Sequence, residues 1–123
     1  MTEAGTNDTL RVHVAPDGTI VASGDIDVAG GPVLDAVIVE HEAVAPDGVV
    51  VIDLTDVTFL ASVGMSVLVA AQEAADAMAV RFAVVADGVV TRRPIRLLGL
   101  DAVLALHPAL DDALRAVRRE GSF

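Results

Sequence analysis

Between Asp53 and Ser66 the chain gathers carboxylates (Asp53, Asp56) and hydroxyls (Thr55, Thr58, Ser62, Ser66) around Val63, Gly64 and Met65. They follow an apolar run, Val49 to Ile52, that reads as a strand passing into a polar loop, and the residues from Ser62 onward read as a helix. A hydroxyl at such a junction lies where backbone N–H groups have no partner within the helix and where the helix dipole favours negative charge. The chemistry on offer is acceptance of a phosphate or contact with a partner. Bond-breaking chemistry has no matching residues. His13, His41 and His107 lack metal-ligand spacing, cysteine is absent, and there is no Ser/His/Asp cluster, P-loop or G-x-G-x-x-G. No catalytic residue, metal ligand or cofactor site is therefore assigned.

A chain of 123 residues suits one domain with a real core. The core must be built from small branched side chains, because aromatic residues make up only 2% of the sequence. No apolar run approaches the roughly 18 residues of a membrane span, and the polar start (Met1 to Asp8) has no signal-peptide pattern. These features imply a cytoplasmic protein. The net charge of −10 argues against nucleic acid and anionic membrane surfaces as partners. The charge is uneven: through Val90 there are 14 acids and two arginines, and beyond it six arginines and four acids. The acidic part supports solubility, or steers a basic partner.

The elements that must position the junction follow from periodicity and turn signals. Residues 1–8 read as a flexible tail, with the single domain occupying 9–123. Leu10, Val12 and Val14 alternate as a half-buried strand, Pro16-Asp17-Gly18 turns, and Ile20 to Ala22 form the second strand of a hairpin. Pro32 opens a helix carrying Leu34, Val37, Ile38 and His41. Strand three is Val49 to Asp53, helix two runs from Ser62 to Ala77, and Ala79 to Val85 is strand four. A third helix from Val89 to Leu98 carries Pro94 as a point of strain. Val103 to Leu106 form a fifth strand, and a last helix opens at Pro108. The sum is an α/β fold with a mostly parallel sheet of four to five strands, an N-terminal hairpin and about four helices.

The run Asp53-Leu54-Thr55-Asp56-Val57-Thr58-Phe59-Leu60-Ala61-Ser62-Val63-Gly64-Met65 closely resembles the signature of the STAS domain of bacterial anti-sigma factor antagonists. Gly24-Asp25-Ile26-Asp27, Leu97-Leu98-Gly99-Leu100-Asp101 and Pro108 to Leu114 resemble three further family motifs, in order and at matching spacing. The resemblance implies the STAS fold and a regulatory binding function. The partner would be a serine kinase anti-sigma factor of the histidine-kinase-like ATPase fold, whose capture frees a sigma factor. The nucleotide would belong to that partner, and the chain itself would be a monomer or weak homodimer. In the family the second serine of a pair, just before the glycine, accepts a phosphate. That position is Val63 here, and Ala61 replaces the aspartate that usually precedes the pair.

Two readings stand for Ser62: an N-cap whose hydroxyl bonds an early helix N–H, or a substitute phosphorylation site. Against the second, one helical step turns a side chain by about 100°. Val63 marks either a diverged copy with another input or a protein held in the binding-competent state. Thr58 and Ser66 are neighbouring hydroxyls. The partner surface expected from the resemblance and the helical wheel comprises Asp25, Asp27, Asp56, Thr58, Ser62, Val63, Gly64, Met65, Ser66 and Val69, with Met65 and Val69 on the outward side of helix two. Asp53 is expected to accept loop N–H bonds. Two other functions compete. One is a structural STAS module in a transporter-associated or multi-protein signalling assembly. The other is a phosphoacceptor receiver domain using Asp53, which the complete absence of lysine argues against.

Overall fold

The computed structural model describes the backbone of residues 2–45 and 47–120 and the side chains of residues 5–45 and 47–118. Its strands are β1 (Thr2–Thr6), β2 (Leu10–Val14), β3 (Ile20–Ile26), β4 (Val49–Leu60), β5 (Arg81–Val85) and β6 (Leu106–His107). Its helices are α1 (Gly30–Val44), α2 (Ser62–Ala77), α3 (Arg92–Leu97) and α4 (Leu110–Glu120), with a 3-10 turn at Leu100–Ala102. The six strands form one sheet in sequence order. The β1–β2 and β2–β3 pairs are antiparallel, and β3–β4, β4–β5 and β5–β6 are parallel, as strands joined by helical crossovers must be.

Branched residues alternate across the sheet and build two cores. On one face Ile20, Ile52, Leu54 and Val84 pack against Leu34 and Ile38 of α1, Leu68 of α2 and Ile95 of α3. On the other, Val51, Ala83 and Val85 pack against Ala113 and Val117 of α4. Alanines at 71 and 75 let α2 lie close to the sheet, which is how a core with few aromatic side chains fills its volume.

Several expected boundaries shift. Residues 2–6, read as part of a flexible tail, form edge strand β1, with Thr6 opposite Arg11. The turn into β2 is closed by Asn7, whose Oδ1 accepts the N–H groups of Thr9 and Leu10 at 2.9 and 2.7 Å. Met1 lies outside the described residues. Backbone hydrogen bonding rather than an apolar pattern defines this strand, so periodicity does not reveal it. Strand β4 runs to Leu60 and absorbs the expected polar loop. Its buried residues Leu54, Val57 and Leu60 recur at a spacing of three, not two. Register shifts against β3, between Val21 and Ser23 and between Gly24 and Asp25, account for the broken alternation.

Helix α3 begins at Arg92, so Pro94 sits in its first turn, where no intrahelical N–H bond is lost. The fifth parallel-sheet segment moves from 103–106 to Leu106–His107, leaving Leu104 to enter the core from a loop. Helix α4 starts at Leu110, two residues after Pro108. Helix α2 matches its expected bounds and ends with Ala79 at φ +56°, where the Val80 N–H reaches the Ala75 carbonyl at 2.8 Å. This is a left-handed helix stop made without glycine.

One buried group opposes this packing. Glu42, in the last turn of α1, is only 3% exposed, and neither carboxylate oxygen has a hydrogen-bond partner among the described residues. Burial, with the negative charge of Asp35, pushes its pKa up to about 7 from 4.5. The folded state thus holds a proton that the unfolded state releases, so this group lowers stability as pH rises from 4.5 through about 7. Over that window the loss is about 3 kcal/mol. Urea unfolding of wild type and Glu42→Gln should show the variant gaining relative stability between pH 5 and pH 8. A stability difference that does not change with pH would show that Glu42 keeps an ordinary pKa.

Candidate functional site

The candidate surface forms where β3 and β4 end together. Asp25 pairs with Phe59 and Ile26 with Leu60, and the Ala61 N–H donates to the Ile26 carbonyl at 2.9 Å. Each strand then turns directly into a helix, β3 into α1 through Asp27, Val28 and Ala29, and β4 into α2 through Ala61. The loop after β3 is held by its carboxylates. Asp27 Oδ1 accepts the Gly30 N–H at 2.8 Å, and its Oδ2 accepts the Thr9 hydroxyl at 3.3 Å. Asp25 Oδ1 accepts the Thr58 hydroxyl at 2.6 Å, tying the β3 end to the β4 end. Gly24 has φ +98°, and a Cβ there would lie 2.1 Å from the Thr9 carbonyl oxygen, so only glycine permits this approach.

At the start of α2 the residue in the N-cap position is Ala61, with φ −78° and ψ 165° and no side-chain cap. Its carbonyl accepts the Gly64 and Met65 N–H groups at 3.0 and 3.2 Å. Ser62 is therefore the first helical residue rather than the cap, and its side chain is exposed. Val63 is half-buried and turned toward α1: a Cβ added to Gly31 would lie 2.9 Å from Val63 Cγ2. Residue 63 thus sits where the N-terminal ends of two helices converge, a setting in which both dipoles favour an anion and the side chain present cannot carry one. Gly64 is buried, and a Cβ there would lie 2.6 Å from Ile26 Cγ2 and 2.7 Å from Leu60 Cδ1. It seats the helix on the strand ends.

The expected surface residues divide by exposure. Asp56, Thr58, Ser62 and Ser66 are exposed, and Val69 is half-buried two turns along α2 on the stripe of Ser62 and Ser66. Asp25 and Asp27 are half-buried and engaged in the bonds that hold the loop. Met65 is corrected: at 7% exposure it belongs to the core, because the helix rolls its first turn inward and carries residue 65 with Gly64 and Leu68. Asp53 accepts the Thr55 N–H at 2.9 Å, as expected, although from within β4. Two apolar residues were missed. Phe59, 51% exposed, lies beside Asp25 at the β4 end, and Val28, 77% exposed, caps the loop before α1. The rarity of aromatic residues in the chain was the available signal for Phe59. The helical wheel had no means to find it on a strand.

A family model described as the STAS domain matches residues 11–113. The chain is 45% identical over 114 residues to the anti-sigma-F factor antagonist RsfB of Mycobacterium tuberculosis, covering 90% of this chain and 92% of that one. Among solved structures, an anti-sigma factor antagonist from Mycobacterium paratuberculosis aligns with a TM-score of 0.78 at 43% identity, covering 93% of this chain and 98% of that one. The unphosphorylated form of the anti-sigma factor antagonist SpoIIAA aligns with a TM-score of 0.63 at 16% identity, over 93% and 99% of the two chains, a likeness of fold.

The uncapped helix start sets a stability test. Ala61→Asp should stabilise the protein by about 1 kcal/mol, by supplying the missing acceptor at the N-cap and a favourable charge on the dipole. Ser62→Ala should change stability by less than about 0.5 kcal/mol, since no bond is lost. Thermal or urea unfolding of the two variants checks both. A loss of a full cap's worth of stability in Ser62→Ala would return the capping role to Ser62.

Proposed function

The chain belongs to the STAS domain family, and from that membership we propose that it acts as an anti-sigma factor antagonist, a binding protein that captures an anti-sigma factor and so frees a sigma factor. The observation that carries this reading is the strand–helix junction itself. An acidic loop (Asp25, Asp27), an exposed carboxylate (Asp56), hydroxyls (Thr58, Ser62, Ser66) and exposed apolar side chains (Val28, Phe59) share one end of the sheet. That mixture, apolar anchors within a charged rim, is what a protein partner would need. The kinase activity and nucleotide belong to the partner, a serine kinase of the histidine-kinase-like ATPase fold. The antagonist works without chemistry of its own, in the cytoplasm, as a monomer or weak homodimer.

Val63 gives the proposal its regulatory content. A phosphate at position 63 would add nearly two negative charges between two helix N-termini, on a surface already acidic. Valine cannot take it, so the protein stays in the state competent for capture. Its input would then be its abundance or a site elsewhere, and Ser62, one helical step away and exposed, is not a replacement acceptor.

Two experiments test this. The purified chain is mixed with candidate serine kinase anti-sigma factors from its own genome, and binding is measured by calorimetry. Phe59→Glu should weaken the cognate interaction by more than about 1 kcal/mol while leaving the melting temperature nearly unchanged, as befits an exposed side chain. Normal binding by this variant would move the partner surface elsewhere. For the switch, wild type should remain unmodified after incubation with the cognate kinase and ATP, and Val63→Ser should become phosphorylated at residue 63. Val63→Asp should bind more weakly than wild type. Stoichiometric phosphate on wild-type Ser62 in the mass spectrum would overturn the account of Val63.

A further inference from the structure

Three of the eight arginines of this acidic chain stand on the six-residue helix α3. Arg92, Arg93 and Arg96 line a recess of about 470 Å³ together with Gly88 and Leu97, and no carboxylate is among the lining residues. The helix is fixed from within by Ile95, which is fully buried in the core. Its flanking turns are closed by the Arg93 N–H on the Gly88 carbonyl at 3.1 Å and the Gly99 N–H on the Arg96 carbonyl at 2.9 Å. Arg92 Nη1 donates to the Ala86 carbonyl at 3.3 Å, and Arg96 Nε lies 3.9 Å from Asp101 Oδ2. Arg93 is exposed and makes no side-chain hydrogen bond or ion pair among the described residues. Apolar side chains stand beside these cations. Val89, Val90, Leu97, Leu98 and Val103 are half of the large hydrophobic residues that are exposed among the described residues. Within the Leu97-Leu98-Gly99-Leu100-Asp101 motif, Leu100 packs against the core, whereas Leu97 and Leu98 face solvent and do nothing for the fold. Exposed apolar side chains gathered in one place, with arginine among them, have the composition of a protein contact.

We propose that the α3 face is a docking surface for an acidic, amphipathic segment of another protein. Carboxylates of that segment would meet Arg92, Arg93 and Arg96, and its apolar side chains would cover Val89, Leu97 and Leu98. Charge complementarity selects this occupant. Three arginines around a recess without a carboxylate draw acidic groups and turn basic ones away. An arginine fork matches a carboxylate in shape as well as charge, and its stem adds apolar area. A free inorganic anion would meet the arginines but leave the apolar side chains uncovered. Nucleic acid and anionic lipid are disfavoured by the net charge of −10, and six residues of helix are few for an element lying in a lipid interface. The sign is opposite to that of the junction, where Asp25, Asp27 and Asp56 stand, so the two surfaces select different chemistry.

Titration of the full chain with a synthetic peptide of about 16 residues, built from glutamate, aspartate, leucine and phenylalanine at helical spacing, tests the assignment by amide chemical-shift mapping. The shifts should saturate with a Kd of about 100 μM or tighter and map to residues 87–103, leaving 25–27 and 58–66 unmoved. The same peptide with serine at every apolar position should bind at least about tenfold more weakly, and the version with lysine at every acidic position should leave 87–103 unmoved. Arg93→Glu and Leu97→Glu, both at exposed positions, should each weaken the acidic peptide about tenfold or more while leaving the circular dichroism melt nearly unchanged. Flotation with phosphatidylglycerol vesicles should leave the chain unbound. Absence of saturable shifts, shifts elsewhere, equal binding of the serine peptide, unchanged binding in either variant, or recovery of the chain with the vesicles would each overturn the proposal.

Discussion

The parallel pairing of β3 with β4 continues to Ile26 and Leu60, and the Ala61 N–H closes it on the Ile26 carbonyl 2.9 Å away. That last rung decides the geometry of everything beyond it. Because both strands stop at the same level and short links lead into the following helices, the two helix starts lie side by side and Val63 can rest on Gly31. A helix start displaced by one residue would turn its first side chains by about 100° and separate the groups that now share a surface. The small residues at the contact are part of the same constraint: Gly31 lets the start of α1 meet Val63 of α2, and Gly64 lets α2 come down on the strand ends.

The loop between β3 and α1 illustrates how charge is used in an acidic protein. Asp25 and Asp27 repel one another and the carboxylates around them, yet each is tied by hydrogen bonds, to Thr58 in one case and to Gly30 and Thr9 in the other. Hydrogen bonds to charged acceptors are worth more than neutral ones. They tie the loop to β4, to the turn before β2 and to the start of α1. On the proposed reading, a partner would meet a surface whose negative charges are already positioned. This reduces what must be ordered on binding. Asp25 and Asp27 thus serve local structure, whatever part they take in the proposed contact.

Both ends of the sheet leave a buried nitrogen without a partner among the described residues. Near the junction Asn7 closes its turn through Oδ1, but its Nδ2 is buried without a partner among the described residues. At the opposite end Arg81 Nε is in the same position, and on α1 neither carboxylate oxygen of Glu42 has a partner among the described residues. A domain of this size has stability to spare of only several kcal/mol, so unpaired buried charges are conspicuous. Glu42 can relieve its burial by holding a proton, as its pKa of about 7 indicates. An arginine has no such escape, since its guanidinium stays charged at any ordinary pH. Arg81 as a whole is only half-buried, so its delocalised charge is not withdrawn from water altogether.

Sequence alone determined the fold class, the bounds of α2 and, through the Asp53–Met65 run, the family, because apolar periodicity and ordered motifs are local properties of the chain. It also determined that residue 63 carries no hydroxyl. Edge strand β1 and the second half of β4 were not legible, since both are held by backbone pairing and their side chains do not keep a period of two. Within the candidate site, the wheel put Met65 outside and did not reach Phe59. Which way a helix rolls onto a sheet depends on what fills the space beneath it, here Ile26 and Leu60 under Gly64. Whether Ser62 or Ala61 occupies the cap depends on where the β3–β4 ladder ends. The contact of Val63 with Gly31 and the bond between Thr58 and Asp25 join residues far apart in the chain. Only the tertiary structure could bring those groups together, because packing and desolvation act between neighbours in space.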